Sequence, residues 1–153
     1  MTDGDRIRNL LGRYCDLMDA GDWPGIGALF ARGRLVTDAG VELAAGADAV
    51  ADFYARGTLL HGGSPRTKHL VVNTVLDDPG ADGTVVARSS YLVLQALDGR
   101  PLQPIITGRY VDRFAPDADA GGGGGGGDGW HFVERAFAVD LVGDLGDHLR
   151  YAL

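Results

Sequence analysis

Apolar residues recur at three- and four-residue steps through Ile7, Leu10, Leu11, Tyr14, Leu17 and Met18, which predicts an amphipathic helix with one buried stripe. Thr2 or Asp3 is placed to cap its start, and Gly21 to end it in the left-handed conformation that glycine adopts cheaply. Asp22 caps a second, short helix with Pro24 in its first turn and Ile26, Leu29 and Phe30 facing inward. Leu35–Thr37 and Val41–Leu43, separated by Asp38-Ala39-Gly40, predict a small hairpin or a pair of short edge strands. A third helix follows Gly46, carries Val50, Phe53 and Tyr54 on one side, and stops near Gly57.

Beyond the Gly62-Gly63-Ser64-Pro65 loop the period changes from helical to extended. Four strands are predicted, at Thr67–Leu76, Thr84–Leu97, Pro104–Phe114 and Trp130–Val142, joined by turn-rich links such as Asp77-Asp78-Pro79-Gly80. Links this short hold no crossover helix, so neighbouring strands pair antiparallel. The run Gly121–Gly127 lies within the third link and is expected to form a flexible, exposed loop. Helices first and strands afterwards give an α+β fold: three N-terminal helices packed on a curved antiparallel sheet, a half-open cone around a central apolar pocket. One domain over residues 1–153 is expected, since a chain of this length buries about 70% of its unfolded surface.

Charge and cysteine content narrow the function classes. The net charge is −7 with no basic tract, which argues against nucleic acid as a partner. No stretch approaches the roughly 18 apolar residues of a membrane span, and the first residues hold no apolar secretory core. A lone cysteine, Cys15, fits a reducing compartment, so a cytoplasmic location is expected. The convex face of the sheet is rich in apolar residues, and a homodimer or homotrimer would cover it.

Candidate chemistry centres on the strand T-K-H-L-V-V-N-T-V-L, where alternation puts Thr67, His69, Val71, Asn73 and Val75 on one face. His69 is the candidate general base, because an imidazole titrates near neutrality. Asp16 and Asp19 lie near the end of the first helix, and Asp19 is the better placed to orient the ring. The alternative is a histidine hydrogen-bonded within the core beside two solvated acids. On the last strand, alternation groups His131, Val133, Arg135, Phe137 and Val139. Arg135 would hold a substrate anion or leaving group, or else pair with Asp112, Asp19 or Glu134 of the partner subunit. Tyr14 and Tyr54 would bring hydroxyls to the pocket edge, with Asn73, Val71, His131 and Phe137 completing the lining.

Other chemistries find no support. The glycine run satisfies G-x-G-x-x-G only trivially, since it leads into a strand and no dinucleotide-binding helix. His61, His69, His131 and His148 show no metal-site spacing, so neither a metal nor a cofactor is expected.

With these elements in order, the chain resembles the SnoaL-like branch of the nuclear transport factor 2-like superfamily. The matching pieces are R-Y-C-D-L-M-D-A-G-D at Arg13–Asp22, L-F-A at Leu29–Ala31, T-K-H-L-V-V-N in the His69 strand, G-R-Y-V-D-R-F at Gly108–Phe114 and G-W-H-F-V-E-R at Gly129–Arg135. The resemblance implies the same cone, usually as a homodimer or homotrimer. Scytalone dehydratase and hexachlorocyclohexane dehydrochlorinase, within that superfamily, use a first-helix aspartate with a strand histidine as base. Those roles fall on Asp19 and His69, and the dehydrochlorinase arginine falls on Arg135. Met18 stands where the dehydratase has a tyrosine directly before its aspartate. The resemblance implies a cofactor-independent lyase or isomerase acting on a small apolar, polyketide-like or aromatic-like cyclic molecule. It equally admits a non-catalytic ligand-binding or assembly subunit, such as the small subunit of an aromatic-ring dioxygenase.

Overall fold

The computed structural model describes residues 1–118 and 129–153, so the glycine run Gly121–Gly127 and its expected loop lie outside the described residues. Helix α1 spans Asp3–Ala20, and its capping residue is Thr2, whose hydroxyl accepts from the Asp5 N–H while the Asp5 carboxylate reaches back to the Thr2 backbone. Gly21 closes it at φ 69°, and the following Asp22 N–H returns to Leu17 O at 3.0 Å. Asp22 then accepts from the Gly25 N–H and starts α2, Trp23–Leu29. The remaining elements are β1 (Arg34–Thr37), β2 (Glu42–Ala45), α3 (Ala47–Gly57), β3 (Thr67–Leu76), β4 (Val85–Leu97), β5 (Arg100–Pro116) and β6 (Trp130–Val142). No helix among the described residues is long and apolar enough to cross a membrane.

The fold is the α+β architecture expected, three helices on one curved six-stranded sheet in the order β2-β1-β6-β5-β4-β3. One pair departs from antiparallel pairing: β1 lies parallel to β6, so the sheet is mixed. Link lengths could not show this, because β1 and β6 are remote in sequence, with β3–β5 lying between them along the chain. Gly33 permits the approach, since a Cβ there would stand 2.5 Å from Phe132 O. The core between helices and sheet is led by Phe30, Phe114 and Phe132, all fully buried, with Phe132 4.6 and 4.5 Å from the other two ring centroids.

Two bulges decide which side chains face that core. In β3 the register with β4 shifts between Val72 and Val75, and Asn73 sits at φ 55°. Asparagine tolerates the left-handed region better than most residues, which suits it to the extra position. Past the bulge the alternation reverses, so Thr74 turns inward to bond Ser89 while Asn73 is exposed. In β6 the shift falls where Phe114 pairs with Phe132 and Arg113 with Glu134, leaving Val133 as the extra residue. Trp130 and Phe132 therefore face the core on one side of the bulge, and Arg135 on the other.

Candidate active site

Because α1 carries its stripe across the sheet and ends at Gly21, its last turn delivers Asp19 against the start of β3. The Asp19 Oδ1 accepts from His69 Nδ1 at 2.6 Å and from Thr67 Oγ1 at 3.0 Å, and the His69 backbone N–H lies 3.0 Å from both carboxylate oxygens. Lys68 Nζ stands 4.0 Å from Oδ2. Side chain and main chain of His69 are thus held by one aspartate. With Nδ1–H donated to Asp19, the neutral ring carries its lone pair on Nε2, which has no hydrogen-bond partner among the described residues. That is the arrangement a general base requires.

His69 borders a cavity of about 110 Å³. All five tyrosines of the chain, Tyr14, Tyr54, Tyr91, Tyr110 and Tyr151, line it. The Tyr14 and Tyr54 hydroxyls are 3.0 Å apart, and Tyr91 donates to Ala138 O at 3.1 Å while stacking on Tyr110 at 4.4 Å. Gly108 makes room for that stack, because a Cβ there would overlap both Ala138 O and the Tyr91 ring. Burial pushes the Tyr91 hydroxyl up to about 12, and Tyr54 and Tyr110 well above their ordinary range, so these phenols are neutral hydrogen-bonding groups. An aromatic cavity of this scale suits one ring, since an engineered apolar cavity of about 150 Å³ holds benzene. A larger open groove of about 700 Å³ between α2 and α3, walled by Trp23, Pro24, alanines and the Asp48 and Asp52 carboxylates, shares no lining residue with this cavity, although Trp23 stacks on Tyr54 at 6.3 Å.

The structure brings together Asp19, His69, Tyr14, Tyr54 and Phe137 at or directly behind this cavity. Four other expected site residues lie elsewhere. Arg135 is fully buried behind the cavity wall, its Nε and Nη2 donating to Asp112 at 2.7 and 2.8 Å, with the Tyr14 and Tyr110 rings 4.1 and 3.8 Å from its guanidinium carbon. Burial alone would make that guanidinium easier to deprotonate, but Asp112 outweighs it and raises its pKa further. Of the pairings open to Arg135, the structure shows the one with Asp112. Asn73 is turned to solvent by the β3 bulge. His131 is on the far side of the β6 bulge and donates through Nδ1 to Asp117 at 2.8 Å. Val71 packs against the core and does not border the cavity.

Residues the sequence did not single out complete the wall. Tyr91 and Tyr110 occupy inward positions of β4 and β5, so strand alternation held a signal for both. His148 had none, because it reaches the cavity only through the path of the segment after β6. Its ring centroid is 6.3 Å from that of His69. Burial first, and the His69 ring second, lower its pKa to about 4. It is a neutral imidazole at pH 7.

A SnoaL-like domain model matches residues 1–136. The chain belongs to the SnoaL-like family. Solved structures with the same fold include a scytalone dehydratase-like protein from Novosphingobium aromaticivorans, 18% identical, covering 93% of this chain and 87% of that one at a TM-score of 0.66. ActVI-ORFA from Streptomyces coelicolor is 19% identical over 89% of this chain and 96% of its own, also with a TM-score of 0.66. The beta subunit of an aromatic-ring-hydroxylating dioxygenase-like protein from N. aromaticivorans is 20% identical, covering 90% and 89% at a TM-score of 0.62. These likenesses establish a nuclear transport factor 2-like, cystatin-like fold. The search of curated proteins finds no match.

Proposed function

We propose that this SnoaL-like protein is a cofactor-independent lyase or isomerase of the dehydratase type, acting on a small, largely apolar cyclic molecule. The observation that carries the reading is the 2.6 Å Asp19–His69 pair at the wall of an aromatic cavity. His69 Nε2 takes a proton from a ring carbon of the bound molecule, and Asp19 fixes the tautomer and stabilises the imidazolium that results. Arg135, committed to Asp112, takes no direct part. Developing negative charge falls instead within reach of neutral phenols and the second histidine. Exposed Leu70, Val72 and Val111 on the outer sheet face support self-association as a homodimer or homotrimer.

The test is NMR-detected deuterium incorporation from heavy water into a panel of cyclic ketones. General-base catalysis is worth about 10²- to 10⁴-fold, so His69→Ala should reduce exchange by at least about 100-fold, and Asp19→Asn by less. Tight binding of panel members without exchange or elimination would sink the reading. The likeness to a dioxygenase-type beta subunit favours one second reading, a non-catalytic binding or assembly subunit. Obligate co-purification with a larger subunit, with no turnover by either, would favour it.

A further inference from the structure

The segment after β6 forms a hook that is pinned on both sides of His148. Gly143 N–H donates to Ile105 O at 2.7 Å, and Arg100 pairs with both Asp144 and Asp147. His61 Nε2–H and the Gln95 amide both donate to Asp147 O, at 2.7 and 3.2 Å. Leu59 N–H donates to His148 O at 2.8 Å, Arg150 N–H to Gly57 O at 3.0 Å, and Thr58 bridges to Leu149. So many bonds fix the backbone of a short segment that the His148 ring has little freedom to leave the cavity wall.

His148 is 6% exposed, and its Nδ1 is buried with no hydrogen-bond partner among the described residues. A buried N–H without an acceptor is the rarer and costlier orphan, whereas a bare lone pair is tolerated better. The neutral ring therefore carries its proton on Nε2 and offers a donor to whatever fills the cavity it lines. His69, fixed in the opposite tautomer by Asp19, offers an acceptor. The two adjacent imidazoles make an acceptor–donor pair on one wall. The family match ends at residue 136, so the donor half belongs to a part of the chain outside it.

We propose that His148 is a ligand-binding residue whose Nε2–H hydrogen-bonds to an oxygen, carbonyl or hydroxyl, carried directly on a single-ring ligand. The inference rests on the cavity being the ligand site, as in the functional reading above. It excludes wholly hydrocarbon rings as preferred ligands and adds a polar requirement to an otherwise aromatic and aliphatic lining.

Phenol and toluene, near-isosteres differing at the oxygen, are the probes, titrated against the whole chain by NMR. A neutral hydrogen bond contributes about 0.5–1.5 kcal/mol, so the toluene-to-phenol ratio of Kd values should fall roughly five-fold in His148→Phe. Nitrogen-15 shifts of the His148 ring in the wild type should show Nε2 protonated and should move with phenol but not toluene. The proposal is overturned by an Nδ1-protonated ring, by ring shifts indifferent to phenol, by an unchanged ratio in His148→Phe, or by binding of neither probe to the wild type. If His148→Phe does not fold, the wild-type nitrogen shifts alone decide. Phenol preference without deuterium exchange in any ketone would sink the lyase reading only; exchange with an unmoved ratio would sink the His148 assignment only.

Discussion

Asp112→Ala should be among the most destabilising single changes in the chain. It removes the carboxylate from a guanidinium that is fully buried, leaving a buried charge without its anion. Arginine cannot escape by losing its proton, and breaking a buried pair from one side costs about 3–5 kcal/mol. A domain of this size has only about 5–15 kcal/mol in total. The Tyr14 and Tyr110 faces contact the guanidinium before and after the change, so they do not offset the loss. Arg135→Met should cost less near pH 4 than near pH 7, because burial already raises the Asp112 pKa and the stranded carboxyl can protonate. The sign follows from linkage: a carboxyl whose folded pKa lies above its unfolded one stabilises at low pH and loses that contribution as pH rises. The double change Asp112→Leu with Arg135→Met removes both charges and should be more stable than Asp112→Ala alone. Urea unfolding at pH 4.5 and pH 7 measures all four proteins. The reasoning fails if Asp112→Ala unfolds within about 1 kcal/mol of wild type, or if Arg135→Met keeps full stability and loses ligand affinity instead.

Two further changes test the site's electrostatics and the strand reading. Since the His148 pKa is lowered to about 4 from an unfolded value near 6.5, the unfolded chain binds the extra proton between those values, and stability present above pH 6.5 is lost as pH falls. Wild type should lose about 2–3 kcal/mol relative to His148→Phe between pH 7 and pH 4.5 in urea unfolding, and parallel curves would contradict the burial argument. Asn73→Gly should be neutral in thermal unfolding, whereas Asn73→Val, forced to φ near 55°, should cost about 1–2 kcal/mol; neither should alter probe binding, and a loss of phenol affinity in Asn73→Gly would restore Asn73 to the site.

The helices were readable in detail because their signals are local. The Ile7-to-Met18 stripe, the Thr2 and Asp22 caps and the Gly21 stop each depend on residues within a turn of one another. The strands were readable in extent but only partly in facing. Period-two alternation assumes an uninterrupted ladder, and a single extra residue inverts every assignment beyond it. That one cause misplaced both Asn73 and His131, on different strands. In β4, whose ladder with β5 runs without a register shift from Val85 to Val93 and which carries no extra residue of its own there, alternation puts Val85, Ala87, Ser89, Tyr91 and Val93 inward as it should. The parallel β1–β6 pair was hidden for another reason: nothing local to either strand encodes a partner so far along the chain.

The site divides along the same line. His69 precedes its bulge and Asp19 ends a well-signalled helix, so the expected juxtaposition survives in the structure at 2.6 Å. Arg135 follows its bulge, yet still faces inward, because the notional face and the actual one coincide again past Val133. Its burial was foreseeable; its commitment to Asp112 was one of three pairings that spacing could not separate. Cross-strand register does separate them, since Asp112 stands directly opposite Arg135 in the β5–β6 ladder. His148 lies beyond all such rules. It follows the last strand in a segment with no periodicity, and only the Arg100, Gln95 and His61 anchors, each from a different part of the chain, bring it to the cavity. In the proposed reading, a base set by a helix end and a strand start, opposed by a donor set by tertiary anchors alone, leaves substrate choice easier to alter than proton abstraction: changes in the hook reach His148 without touching the bonds that hold Asp19 to His69.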